Sequence, residues 1–136
     1  MQQARRRRYE YSIASSVAEV LGLTNFFVDM KLRETDLDIA GYNSYTNEVH
    51  IAEIKSKLTQ HNVQHAINQL CFREKLANRV WLVVPQKYVY YALALVPNRY
   101  GIISYRSGKV FIWRESKKFT GVYRTLVLIK VLGKQL

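Results

Sequence analysis

The sequence predicts an α/β domain with a mixed central sheet flanked by helices. Three observations point to it. Short runs of strand character follow one another between residues 25 and 55, separated by turn chemistry. Two longer segments, 9–21 and 60–78, carry apolar residues at helical spacing. After the second comes Val80-Trp81-Leu82-Val83-Val84, an unbroken apolar run closed by Pro85. That is how a strand buried on both faces reads, so part of the sheet is expected to be parallel.

The elements follow in order. Met1 to Arg8 is a basic arm, in which Arg5, Arg6, Arg7 and Arg8 either clamp phosphates or form a solvated end. Tyr9 to Leu21 reads as a helix, with Ile13, Ala14, Val17 and Leu21 on one face and Gly22 as its stop. The same spacing places Glu10 in the apolar stripe and Glu19 opposite it. An inward acid at a helix start either compensates the helix dipole or supplies a carboxylate to a site, and its context favours the second.

Asn25 to Leu32 is the first strand, and Arg33 to Asp36 reads as a polar turn. Leu37 to Tyr42 and Glu48 to Lys55 are the next two strands, joined by turn chemistry at 43–47. Val49, Ile51, Glu53 and Lys55 share one face of the third strand. Gln60 to Asn78 is a helix with Val63, Ala66, Ile67, Leu70 and Ala77 in its buried stripe. Gln69 lies at the border of that stripe, and Glu74 falls within it near the helix end. Cys71, between Leu70 and Phe72, reads as core packing. Tyr88 to Leu95 is a short helix. Residues 101–105 and 110–113 flank Arg106-Ser107-Gly108-Lys109 as a hairpin. Thr125 to Leu132 fits either a helix or a strand.

At 136 residues the chain suffices for one domain with a real core. Its formal net charge is +11, which implies a polyanionic partner, nucleic acid above all. Nine of the ten acids lie between Glu10 and Glu74, whereas Gly101 to Leu136 carries eight Lys or Arg against Glu115 alone. Chemistry is therefore expected in the first part and a basic surface in the last third. The single cysteine excludes an internal disulfide and any Cys-based metal cluster. No signal-peptide pattern or window of ~18 apolar residues is present, so a cytoplasmic protein without a membrane partner is expected, in the host cytoplasm if the source is viral.

Asp38 and the pair Glu53-Ile54-Lys55 carry the candidate chemistry. Pairing of the second and third strands would bring Asp38 beside Glu53 and Lys55. Such a cluster is costly unless something uses it, and a divalent metal and a phosphate would use all three. Phosphodiester hydrolysis needs charge neutralisation at the phosphate, an activated water and a stabilised leaving oxygen. Asp38 and Glu53 suit Mg²⁺, with Mn²⁺ able to substitute, and the main-chain carbonyl of Ile54 offers a further ligand. Lys55 would orient the attacking water or stabilise developing charge. Asp36 is the rival to Asp38 on the same strand face, but it reads as a solvated turn residue. The plain alternative is a surface salt-bridge cluster of Asp38, Glu53 and Lys55. His61 and His65 are metal-compatible in spacing but lack a third ligand, and read as surface residues.

The Glu10 helix, Asp38 and Glu53-Ile-Lys55 resemble the PD-(D/E)XK nuclease superfamily. The resemblance covers Tyr9 to Pro85, including Gln69-Leu-x-Phe72 and the run from Arg79 to Pro85. It implies a restriction-endonuclease-like core of α-β-β-β-α-β order. It also implies metal binding by Asp38 and Glu53, catalysis by Lys55, and Glu10 as the first-helix acid, acting on the metal through water. Gln69 matches the helix glutamine of many members. Two positions depart from the pattern: Thr35-Asp36-Leu37-Asp38 lacks the proline, and Arg73 stands where an aromatic often follows the glutamine. Small size and the first-helix acid look most like archaeal Holliday junction resolvases, which act as dimers, and like small virus- and plasmid-encoded nucleases, those of archaeal viruses among them.

The expectation is a metal-dependent endonuclease acting on duplex or branched DNA as a homodimer. Alternatives are a binding module that grips nucleic acid without cutting, and an RNA-processing nuclease. Residues 9–85 would form the catalytic core and 86–136 a basic elaboration. Backbone contacts are expected from Arg5 to Arg8, Lys31, Arg33, Ser56, Lys57, Arg114, Lys117 and Lys118.

Overall fold

The computed structural model describes residues 12–133. Helix α1 spans residues 12–20 of these. Strands β1 (Asn25–Leu32), β2 (Thr35–Asn43) and β3 (Glu48–Ile54) follow, then α2 (Val63–Arg73) and β4 (Arg79–Pro85). A 3₁₀ turn (Gln86–Tyr88), α3 (Val89–Leu95), β5 (Gly101–Arg106), β6 (Lys109–Arg114) and α4 (Arg124–Gly133) complete the chain. The expected α-β-β-β-α-β order is therefore present, extended by two strands and two helices. All six strands form one sheet in sequence order, β1 to β6. The pairs β1–β2, β2–β3 and β5–β6 are antiparallel, whereas β3–β4 and β4–β5 are parallel. The C-terminal ends of β3, β4 and β5 thus meet at one end of the sheet.

Both sheet faces are covered, and β4 shows why its sequence is apolar throughout. Val80, Leu82 and Val84 point into a core shared with α2, α3 and α4. Trp81 and Val83 point the other way, against Ile13, Ala14 and Val17 of α1. The β5–β6 hairpin turns on Ser107 and Gly108, whose φ angles of 51° and 76° are the paired positive values that its tight turn requires. Among the described residues, no helix is long and apolar enough to cross a membrane.

Several expectations are corrected. Asp36 is not in a turn: Lys31 pairs with Asp36 and Leu32 with Thr35, so β2 begins at Thr35 and the turn shrinks to Arg33 and Glu34. Helix α2 begins at Val63, because Thr59 and Asn62 lock a preceding turn. The Thr59 amide donates to Asn62 Oδ1 at 2.7 Å, and the Asn62 amide to Thr59 Oγ1 at 3.3 Å. Cys71 is exposed, one helical step past buried Leu70. Glu74, expected in the buried stripe, accepts hydrogen bonds from Arg99 and from the hydroxyl of buried Tyr100. Residues 124–133 are helical, with Val127 and Val131 buried one turn apart.

Trp81 locks the end of the sheet remote from the C-terminal ends of β3 and β4. Its Nε1–H donates to His50 Nδ1 at 3.1 Å, and the two rings stack with 12° between planes. Burial pulls His50 down to about 4, so the ring is neutral at pH 7. Gly101 is Trp81's partner in the β4–β5 ladder, and a Cβ there would fall inside the indole's van der Waals envelope. Gly101→Ala is therefore expected to destabilise the fold by about 1–3 kcal/mol, the usual range for overpacking a rigid core. Urea unfolding of the variant beside the wild type checks this; an unchanged midpoint would refute it.

Candidate functional site

The β2–β3 register builds the site. Ile39 pairs with Ala52 at the last step of the ladder, and one step further places Asp38 opposite Glu53. There the ladder gives way to a side chain, as Asp38 Oδ2 accepts the Ile54 N–H at 2.8 Å. Strand alternation directs both carboxylates to the face of Ala40, Ile51 and Leu82, beneath α2.

The cation that meets them comes from that helix. Arg73 Nε donates to Glu53 Oε1 at 2.8 Å, and Arg73 Nη2 donates to the Asp36 carbonyl at 3.1 Å. Both side chains of the ion pair are buried. Burial pushes Glu53 up to about 8, and the Asp38 charge beside it pushes the same way. Arg73 pulls it down, but burial and Asp38 together outweigh one guanidinium. Glu53 is thus held largely protonated at neutral pH despite its partner.

With both carboxyls ionised, as a metal would require, one buried cation would leave the cluster short of positive charge, and its metal-facing groups are all oxygen. Each acid has one oxygen engaged by a protein N–H, Asp38 Oδ2 and Glu53 Oε1, while no described N–H reaches the other. Gln69, one helical turn before Arg73, has a buried Oε1 with no partner among the described residues, so an acceptor there awaits a donor. These features fit a hard divalent ion such as Mg²⁺. The described residues contain no group of three or more His, Cys, Asp or Glu able to hold a metal. Mg²⁺ commonly uses only one or two carboxylates and keeps several waters.

Lys55 is half-buried just past β3, where its N–H donates to the Val83 carbonyl at 2.9 Å. Among the described residues its ammonium makes no ion pair with Asp38 or Glu53, and the cation paired with Glu53 is Arg73, which the expected grouping did not include. Nor is the pair at a sheet edge or a surface salt bridge, since β2 and β3 are interior strands and Glu53 is buried. Asp36 is exposed, and its carbonyl rather than its carboxylate takes part, through Arg73. Ile54 ends β3 between Glu53 and Lys55. Glu10 and Arg5 to Arg8 lie outside the described residues.

In the sequence Arg73 stands out only as a departure from the expected aromatic, yet its spacing on α2 carries a signal of its role. Ala66, Leu70 and Arg73 are the buried residues of α2, spaced four and then three apart. An arginine on a buried stripe requires an inward acid, and Glu53 is on the facing strand.

The expected backbone contacts divide. Lys31, Arg33, Ser56, Lys57, Lys117 and Lys118 are exposed. Arg114 is not available for phosphate and is corrected. Its guanidinium donates to the carbonyls of Tyr100, Leu93, Val96 and Pro97, satisfying the end of α3 and the following loop.

No family model matches the chain, and no curated protein matches it. Among solved structures, a protein of unknown function from Silicibacter pomeroyi is similar over 91% of this chain and 82% of its own, with a TM-score of 0.68 at 15% identity. That likeness shows the fold. SfsA from Pyrococcus furiosus, solved in complex with Ca²⁺, aligns over 85% of this chain and 64% of its own, with a TM-score of 0.40 at 16% identity.

The raised Glu53 has a signed consequence. Between about 4.5 and about 8 the folded chain binds a proton that the unfolded chain has lost. The stabilisation from Glu53 is therefore complete below about 4.5 and lost as pH rises through about 8. In metal-free protein, carboxyl NMR should place the Glu53 titration near 8. Arg73→Met should move it upward and Asp38→Asn downward. A Glu53 titration near 4.5 in the wild type would refute the assignment.

Proposed function

We propose that this chain is a metal-dependent nuclease of the PD-(D/E)XK type that hydrolyses DNA phosphodiester bonds. The observation that carries the reading is the opposition of half-buried Asp38 and buried Glu53 at the end of the β2–β3 ladder. Asp38, Glu53 and the Ile54 carbonyl would hold Mg²⁺ or Mn²⁺, with Glu10 acting through water. The metal, when bound, supplies charge neutralisation at the phosphate oxygens and a more acidic water.

The chain's own residues do the rest. The Ile54 N–H fixes Asp38, and Arg73 fixes Glu53, so neither carboxylate must be reorganised when phosphate arrives. Lys55, unpaired with either acid, has its ammonium free to orient the attacking water. Gln69 Oε1 would accept a hydrogen bond from that water or from Lys55. Exposed Lys31, Arg33, Lys57, Lys117 and Lys118, with Arg5 to Arg8, would hold the phosphate backbone and make binding salt-sensitive. The chain would act as a homodimer on branched DNA, in the manner of the resolvases it resembles. A non-catalytic binding module is the second reading, favoured by one observation: Arg73 already supplies one positive charge to Glu53.

The test is cleavage of branched, duplex and single-stranded DNA, with matched RNA junctions, in Mg²⁺ and in EDTA. Asp38→Ala and Glu53→Ala are expected to lower the rate by at least about 100-fold, and Lys55→Ala by a similar factor with DNA affinity kept. Because a ligating carboxylate must lose its proton, Mg²⁺ affinity should rise from pH 7 to pH 9. DNA binding without cleavage in either metal would favour the second reading.

A further inference from the structure

Strand β6 ends the sheet, and among the described residues no strand pairs with its outer edge. Its side chains alternate. Val110 and Ile112 pack into the core on the α1 side, which sends Lys109, Phe111 and Trp113 to the opposite face. There two large aromatics stand in solvent: Phe111 is 62% exposed and Trp113 37%. Tyr90 of α3 joins them at 76% exposure. Trp113 lies between the other two, with ring centroids 5.4 Å from Phe111 and 5.9 Å from Tyr90, both edge to face. The Trp113 Nε1–H donates to Ser104 Oγ at 2.8 Å, which fixes the ring's orientation.

Three neighbouring rings left partly in water are expensive for a monomer and mark a contact surface. Their surroundings say what they contact. Two adjoining hollows, of about 760 and 530 Å³, run beside the rings. The cations Lys87, Arg106 and Lys109 line them, and no acid among the described residues does. Ser56, directly after Lys55, borders the larger hollow. The row therefore lies at the same end of the sheet as the carboxylates, where β3, β4 and β5 finish. A second copy of this chain would bring another +11 against these cations. A polyanion with flat apolar faces suits both the rings and the charge.

We infer that Tyr90, Phe111 and Trp113 form a stacking platform for unpaired bases of single-stranded DNA, whose phosphates are held by Lys87, Arg106 and Lys109. This rests on the nuclease reading and deepens it: the substrate carries an unpaired segment beside the scissile bond. Duplex DNA hides its base faces, so it would use the cations and not the rings.

The experiment is binding by the full chain in EDTA, which separates binding from cleavage. The probes are an oligo-dT, an oligo-rU of equal length and a duplex. The chain has two tryptophans, and Trp81 is buried, so Trp113 is the reporter for stacking. Oligo-dT should quench its emission, and duplex should not. The exposed-site double variant Tyr90→Ala/Phe111→Ala should bind oligo-dT about 10-fold or more weakly, with duplex affinity within about 2-fold of wild type. Arg106→Gln/Lys109→Gln should weaken both. Unchanged oligo-dT affinity in the aromatic variant would overturn the platform while leaving any Asp38-dependent cleavage, and so the nuclease reading, intact. Tight, quenching oligo-dT binding with no cleavage of any substrate in Mg²⁺ or Mn²⁺ would do the reverse. Binding of oligo-rU 10-fold tighter than oligo-dT would overturn the choice of DNA. Loss of a dimer in sedimentation with oligo-dT affinity unchanged would make the row a self-interface and overturn the proposal.

Discussion

One buried carboxylate organises this molecule. Glu53 sits on an interior strand, beneath a helix and opposite a second acid. Leaving such a group unpaired would cost several kcal/mol in lost hydration, so the chain must bring it a donor. Only an element lying across that face can do so. Helix α2 does it with Arg73, and the β3–α2–β4 crossover that places α2 there also makes β3 and β4 parallel. Asp38 is managed by a different device, the unspent N–H of Ile54 where the β2–β3 ladder stops. The irregular end of the ladder and the buried arginine are thus two parts of one solution. Together they restrain both carboxyl groups, and the raised titration of Glu53 reflects the repulsion that appears when both are ionised.

The rest of the sheet is arranged so that this end can carry that repulsion. At the opposite end of β3 and β4, Asn78 Oδ1 accepts from the Val49 N–H and from Arg124, while its amide donates to the Phe119 carbonyl. Arg79 pairs with Glu48 and also donates to the Ser116 carbonyl. Trp81 is held by His50 and packed over Gly101. These contacts tie β3, β4, β5 and the segment 115–124 together, with the His50 Nε2 left as a buried atom without a hydrogen-bond partner among the described residues. Such contacts are the expected partner of a strained polar cluster elsewhere in the same sheet.

The strands were largely legible because their signals are local. β1 appears with the expected bounds, and β4 and the β5–β6 hairpin within a residue or so, since alternation, apolar runs and turn residues report directly on the backbone. Asp36 misled because its polarity resembled a turn, whereas pairing with Lys31 continued the strand: a cross-strand bond overrode composition. The segment 124–133 could not be read because its Val, Leu and Ile suit both states, and packing of Val127 and Val131 decided it. In the site, strand phase put Glu53 on the correct face and made Asp38 its neighbour. Arg73 required tertiary knowledge, namely that α2 lies over Glu53. Arg114 was misread for a related reason. Charge alone cannot tell a guanidinium that meets phosphate from one that closes a helix end.

That last distinction bears on how the basic charge is used. Arg73, Arg79, Arg114 and Arg124 all spend their guanidinium groups on the protein, bridging carbonyls, amides and acids through several donors at once. The planar fork of arginine suits such multidentate work. Lys31, Lys57, Lys87, Lys109 and Lys117 are exposed instead, and their ammonium groups enter no ion pair among the described residues. The net charge of +11 is therefore not uniformly available. Its arginine share partly builds the fold, and its lysine share is what a polyanion, if one is bound as proposed, would meet. A strongly hydrated point charge on a flexible stem follows a phosphate without demanding one geometry. On the proposed nuclease reading, a lysine-rich exterior would favour backbone tracking over sequence reading, and would leave selectivity to the shape of the nucleic acid.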